Sequence, residues 1–138
     1  MSNEQITVSA VVRAPAARVW ECWTGPDHIT RWNFASEDWC CPSAENDLRV
    51  GGRYRARMEA RDGSVGFDFE ATYDEVEPGR RLVYTMDDGR VAATTFEDRD
   101  GATAVTTVFD AEGQHPIDMQ RDGWQAILDS FRRYTERR

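Results

Sequence analysis

The residues able to do chemistry in this chain are few: His28, His115, Cys22, Cys40, Cys41 and carboxylates such as Glu59 and Glu112. Cys40 and Cys41 with His28 would be the nucleus of a thiol or metal site. They lack the CxxC spacing that sets two thiolates on one tetrahedral ion, and His115 is the other histidine available. Neighbouring cysteines close a strained ring and the count is odd, so no disulfide framework is expected. No nucleophile elbow and no glycine-rich phosphate loop occurs, and two histidines leave little from which to build a triad. His28 is expected to cap or pack a helix end, and His115, before Pro116, to lie in a loop. A carboxylate enclosed in a cavity and raised in pKa by desolvation could act as acid or base. Glu59 and Glu112 would qualify only if the faces assigned below were reversed. No catalytic residue, metal or cofactor is assigned.

Aromatic groups, by contrast, are plentiful: five Trp, six Phe and four Tyr, 11% of the chain. Residues 6–14 alternate, with Ile6, Val8, Ala10 and Val12 on one face, the period of a half-buried strand. Pro15 stops it. Ala16, Val19, Trp20 and Trp23 then follow at helical spacing, Gly25-Pro26 breaks that helix, and a second short one starts at Pro26, with Ile29 and Trp32 as its buried edge. Residues 33–47 show neither period, although they hold Phe34, Trp39 and two cysteines, and are read as a loop pinned by its own aromatic side chains, with a pocket lid as the alternative.

Residues 48–60 and 65–76 form the clearest hairpin, about the turn Asp62-Gly63. Centring the register on that pair sets Met58 opposite Phe67, Ala56 opposite Phe69 and Tyr54 opposite Ala71 on one face. Arg57 then faces Asp68, and Arg55 faces Glu70, on the other. A slip of one residue would set Met58 against a charge. Residues 81–86, 91–97 and 103–109 continue an antiparallel meander through the turns at Pro78-Gly79, Asp88-Gly89 and Asp100-Gly101. Period two turns Leu82, Tyr84 and Met86 inward, then Ala92, Thr94 and Phe96, then Val105, Thr107 and Phe109. After Gly113 the period becomes 3.6. Gln120, Trp124, Ile127, Phe131 and Tyr134 run down one face of a long helix, with Leu128 beside them. Gly123 inside it is expected to allow close approach of the sheet or of a ligand.

At 138 residues the chain is read as one domain, 1–138, large enough for a core without disulfide or metal staples. A net charge of −8 with no basic stripe would repel a phosphate backbone, so nucleic acid is not an expected partner. The start Met1-Ser2-Asn3-Glu4-Gln5 lacks a basic segment followed by an apolar run, and no stretch of about 18 apolar residues occurs, so no membrane association and a cytoplasmic location are expected.

A strand, two short helices, a meander and a long amphipathic helix make an α+β helix-grip fold, a curved antiparallel sheet of about six strands around the C-terminal helix. The residues carry a resemblance as well. The segment Val12 to Trp32, with Pro15, Val19, Trp20, Trp23, Pro26, His28 and Trp32, the run Asn46 to Tyr54, the stretch Phe69 to Thr85 and the run Gly123 to Phe131 are similar to bacterial proteins related to the activator of the Hsp90 ATPase. These belong to the START-like, or SRPBCC, superfamily. The chain departs from their commoner pattern where Asn33-Phe34 follows Trp32. The resemblance implies a hydrophobic cavity between sheet and C-terminal helix, and a chaperone partner by analogy alone.

The expected function is therefore binding of a small hydrophobic molecule, a lipid, polyketide or similar. An alternative is a cyclase or dehydratase that uses a cavity acid or base. The expected lining is Trp20, Trp39, Tyr54, Met58, Phe67, Phe69, Tyr84, Thr94, Thr107, Trp124, Ile127 and Phe131. The two threonines imply a ligand with a polar handle.

Overall fold

Apolar and polar alternation becomes seven strands in the computed structural model, which describes residues 4–138. The order along the chain is β1 (Gln5–Val12), α1 (Ala16–Thr24), α2 (Pro26–Ile29), β2 (Trp39–Asn46), β3 (Arg53–Ala60), β4 (Gly66–Glu77), β5 (Arg81–Met86), β6 (Val91–Asp98), β7 (Thr103–Asp110) and α3 (Ile117–Glu136). The antiparallel sheet runs β1-β7-β6-β5-β4-β3-β2. After β1 the two short helices carry the chain across to the far edge, and the meander walks back until β7 pairs with β1. The sheet curves around α3, which packs on its concave side. No helix among the described residues is long and apolar enough to cross a membrane.

The hairpin register centred on Asp62-Gly63 is the one found: Met58 pairs with Phe67, Ala56 with Phe69, and Tyr54 with Ala71. Its polar face keeps direct cross-strand ion pairs at Arg57 and Arg55, whereas Arg53 reaches diagonally. Arg57 reaches Asp68 at 3.5 Å, but Arg55 pairs with Glu45 of β2, and Arg53 takes both Glu70 and Asp87.

Three expectations need correction. Residues 33–47 are not all loop, because Trp39–Asn46 form an edge strand on β3 and raise the sheet from about six strands to seven. The signal was hidden by a register shift between Cys40 and Ser43, around Pro42. A proline has no N–H to give the ladder and is tolerated on an edge, and the bulge destroys period two. The strand read as 48–60 begins only at Arg53, because residues 48–52 turn. Gly51 has φ +82°, and a Cβ on Gly52 would stand 2.1 Å from the Asp47 carbonyl oxygen. Gly123 admits no close neighbour, since a Cβ there would meet nothing within 4 Å.

Aromatic rings lock the helices to the sheet. Trp23 stacks on Trp32 with centroids 5.1 Å apart, and both meet Phe131 of α3 edge-on at 4.9 Å. Such pairs contribute about 0.5–1.5 kcal/mol each beyond their burial. The Trp32 indole N–H donates to the Cys22 carbonyl at 2.9 Å, which satisfies that buried donor. α3 also covers the free edge of β1: the Gln125 amide exchanges two hydrogen bonds with the Ser9 backbone, and the Arg13 N–H donates to Glu136. An unpaired strand edge is a template for wrong pairing, and these side chains occupy part of it.

Candidate functional site

Between the concave face and α3 lies a cavity of about 280 Å³. Its walls follow from the two periodicities. Tyr54 and Met58 project into it from β3, and Phe67, Phe69 and Tyr73 from β4. Tyr84 of β5, Thr94 of β6 and Thr107 of β7 continue the floor, and Val8 of β1 ends it. α3 supplies Trp124, Ile127 and Leu128 as the roof. Trp23 of α1, with Trp32 and Asn33 after α2, closes one end, and Arg90 of the β5–β6 turn stands in the wall. Phe67 is 51% exposed although it lines the cavity, so the opening to solvent lies beside the β3–β4 hairpin.

Nine of the twelve residues expected at the lining face this space: Tyr54, Met58, Phe67, Phe69, Tyr84, Thr94, Thr107, Trp124 and Ile127. Three do not. Trp20 lies against Phe96, ring to edge at 5.4 Å. Trp39 stands on edge strand β2 and meets Phe67 at 6.2 Å from outside the lining. Phe131 is fully buried beneath Trp23 and Trp32, one turn of α3 beyond the cavity.

Other lining residues were not singled out from sequence, though most carried a signal. Val8 and Tyr73 continue inward runs already assigned, and Trp23 and Leu128 lie on the helical stripes. Arg90 is in phase with Ala92, Thr94 and Phe96, so period two extended by one step places it inward. Trp32 and Asn33 follow a helix of four residues, too short for periodicity to orient them.

The polar groups in this wall are mostly matched to one another. Thr94 and Thr107 stand opposite in the β6–β7 register and hydrogen-bond at 2.8 Å, which leaves one hydroxyl proton of the pair free. The pair therefore demands less of an occupant than two isolated inward threonines would. The Tyr73 hydroxyl donates to Asn46 at 2.8 Å, and the Asn33 amide donates to the Tyr54 hydroxyl at 3.3 Å. Burial pushes the Tyr54, Tyr73 and Tyr84 hydroxyls above the usual tyrosine range. Behind Asn33, burial pushes the Cys41 thiol up to about 11, so it stays protonated at neutral pH.

The remaining reactive groups lie elsewhere. His28 shares a hydrogen bond with the Tyr134 hydroxyl and approaches Glu21 at 3.5 Å, which ties α2 to α3 and α1. Glu112 accepts from the His115 backbone and ring, and Glu59 pairs with Arg57 at 2.9 Å, so neither carboxylate enters the cavity.

Comparison with known proteins follows this geometry closely. The family model described as Activator of Hsp90 ATPase homolog 1-like protein matches residues 13–136. The solution structure of an AHSA1-like protein from Aeromonas hydrophila is 45% identical and superposes with a TM-score of 0.91 over 97% of this chain and 93% of that one. A solution structure from Cytophaga hutchinsonii is 42% identical, with a TM-score of 0.83 over 96% of this chain and 92% of that one. A crystal structure from Chromobacterium violaceum, 26% identical, gives 0.86 over 96% and 98%. No curated protein matches the chain.

Proposed function

The chain belongs to the family of Activator of Hsp90 ATPase homolog 1-like proteins, whose fold commonly binds hydrophobic ligands, and from that premise we propose that it binds a small hydrophobic molecule between sheet and α3. The observation that supports this most is the cavity itself. Protein interiors are packed to crystal density, and a void of about 280 Å³ walled by tryptophan, tyrosine and phenylalanine forfeits dispersion contacts that an apolar occupant restores. Its volume lies near the lower end of small-molecule sites, which run from about 300 Å³ upward. The occupant is accordingly compact, a short or folded amphiphile rather than a long-chain diacyl lipid.

Binding is favoured over turnover by the state of the lining groups. Tyrosines held protonated well above neutral pH suit hydrogen bonding, whereas general acid or base catalysis works best with a pKa near the working pH. Native mass spectrometry of the protein purified from its own host tests the reading. The expected spectrum carries a small-molecule adduct that organic solvent releases and that the cavity-filling variant Thr107→Trp, folded by circular dichroism, no longer carries. An adduct retained unchanged by that variant would place the ligand elsewhere.

A further inference from the structure

Arg90 is the feature of the cavity that apolar binding does not explain. Among the described residues it is the one side chain in the lining that carries a formal charge, and no carboxylate lines the cavity. The β5–β6 turn fixes it there. The Met86 N–H donates to the Arg90 carbonyl at 2.7 Å, so the two residues are opposed and share the concave face with Tyr84 and Ala92. Asp88 then holds Arg90 twice, accepting from its backbone N–H at 3.1 Å and from Nε at 2.8 Å. The terminal nitrogens Nη1 and Nη2 hydrogen-bond to no group among the described residues, and the side chain is only 22% exposed.

Tyr84 supplies the second observation. Tyr73 donates its hydroxyl proton and Tyr54 accepts one, but the Tyr84 hydroxyl has no hydrogen-bond partner among the described residues. It faces the cavity and lies within the field of the Arg90 charge. A guanidinium with both terminal NH2 groups free and a free hydroxyl lining the same cavity leave donors there without an acceptor. Guanidinium forks match paired oxyanion oxygens, and a charge-assisted pair is about twice as strong as a neutral one.

Resting on the cavity reading above, we propose that the ligand is a small apolar monoanion. Its single oxyanion head, of the carboxylate or sulfonate class, pairs with Arg90 and the Tyr84 hydroxyl while its body lies among the aromatic walls. Asp88 positions the guanidinium through Nε and leaves the terminal nitrogens for the ligand. The protein's net charge of −8 makes this pairing selective, because an anion without an apolar body meets a repelling surface and no compensating burial.

A matched pair of probes separates the two ideas. 1-Anilinonaphthalene-8-sulfonate and N-phenyl-1-naphthylamine share one aromatic skeleton and differ by the sulfonate. Calorimetric titration of the wild type is expected to show both binding, the sulfonate more tightly, each displacing the other. Arg90→Met is expected to weaken the sulfonate on the order of tenfold and to leave the neutral amine within about twofold, with an unchanged circular dichroism spectrum. Arg90→Lys, which keeps the charge without the fork, is expected to fall between. If the neutral amine binds and the sulfonate is indifferent to Arg90, the anion proposal falls while the cavity reading stands. If neither probe binds the wild type, the cavity reading falls and takes this one with it.

Discussion

Phe131 and Ile127 stand one turn apart on the same stripe of α3, yet only Ile127 reaches the cavity. Phe131 is sealed by Trp23 and Trp32, and truncating it opens a hole that the rings around it cannot collapse into. Phe131→Ala is expected to cost about 3–5 kcal/mol in urea unfolding, and Ile127→Ala about 2 kcal/mol or less, because one side of Ile127 already faces empty space. Equal costs would mean that the two side chains share one environment. This distinction was not legible in the sequence, where a helical stripe announces an inward face but not what lies beneath it. Trp20 misled for the same reason. Arg90 was legible in principle: it is in phase with Ala92 and Thr94, but charge at the end of a turn ordinarily points to water.

Elements were readable wherever one period held. The β3–β4 register came out to the residue because Asp62-Gly63 fixed the turn while the apolar and charged faces each excluded a slip. β2 escaped because Pro42 and the shift between Cys40 and Ser43 break alternation within eight residues. Its pairing depends on β3 rather than on its own pattern. Gly123 in α3 misled in the opposite direction. It has helical neighbours and open space where a Cβ would go, so glycine there contributes only unfolded-state entropy. Gly123→Ala is expected to stabilise the protein by about 0.5–1 kcal/mol, seen as a higher urea midpoint at unchanged slope. A lower midpoint would show that the position is crowded after all.

The whole molecule is a curved sheet closed over its last helix, and its tyrosines tie that closure to pH. Tyr54, Tyr73 and Tyr84 have folded-state pKa values raised by burial above the unfolded value of about 10. Above that pH the unfolded chain releases protons that the folded chain retains. The stability contributed by these groups is therefore fully present below about pH 10 and is lost as pH rises toward the folded values. The urea midpoint is expected to show no loss from these groups up to about pH 9 and to fall steeply above 10, with phenolate absorbance rising together with unfolding. Phenolate absorbance beyond that of the partly exposed Tyr134, rising near pH 10 while the fold stays intact, would show that the three rings are open to water.

The central claim is that this closure encloses an apolar site rather than a solid core, and methyl-resolved NMR during titration with N-phenyl-1-naphthylamine tests it most directly. The expected result is a saturable shift of methyl signals from Val8, Met58, Thr94, Thr107, Ile127 and Leu128, which line the cavity. Methyls of Val12, Val19, Ile29 and Val105, buried outside it, are expected to stay in place. Saturation with the shifts scattered over Val11, Val50, Val65 and Met119 on the surface would contradict the account, as would the absence of any saturable change.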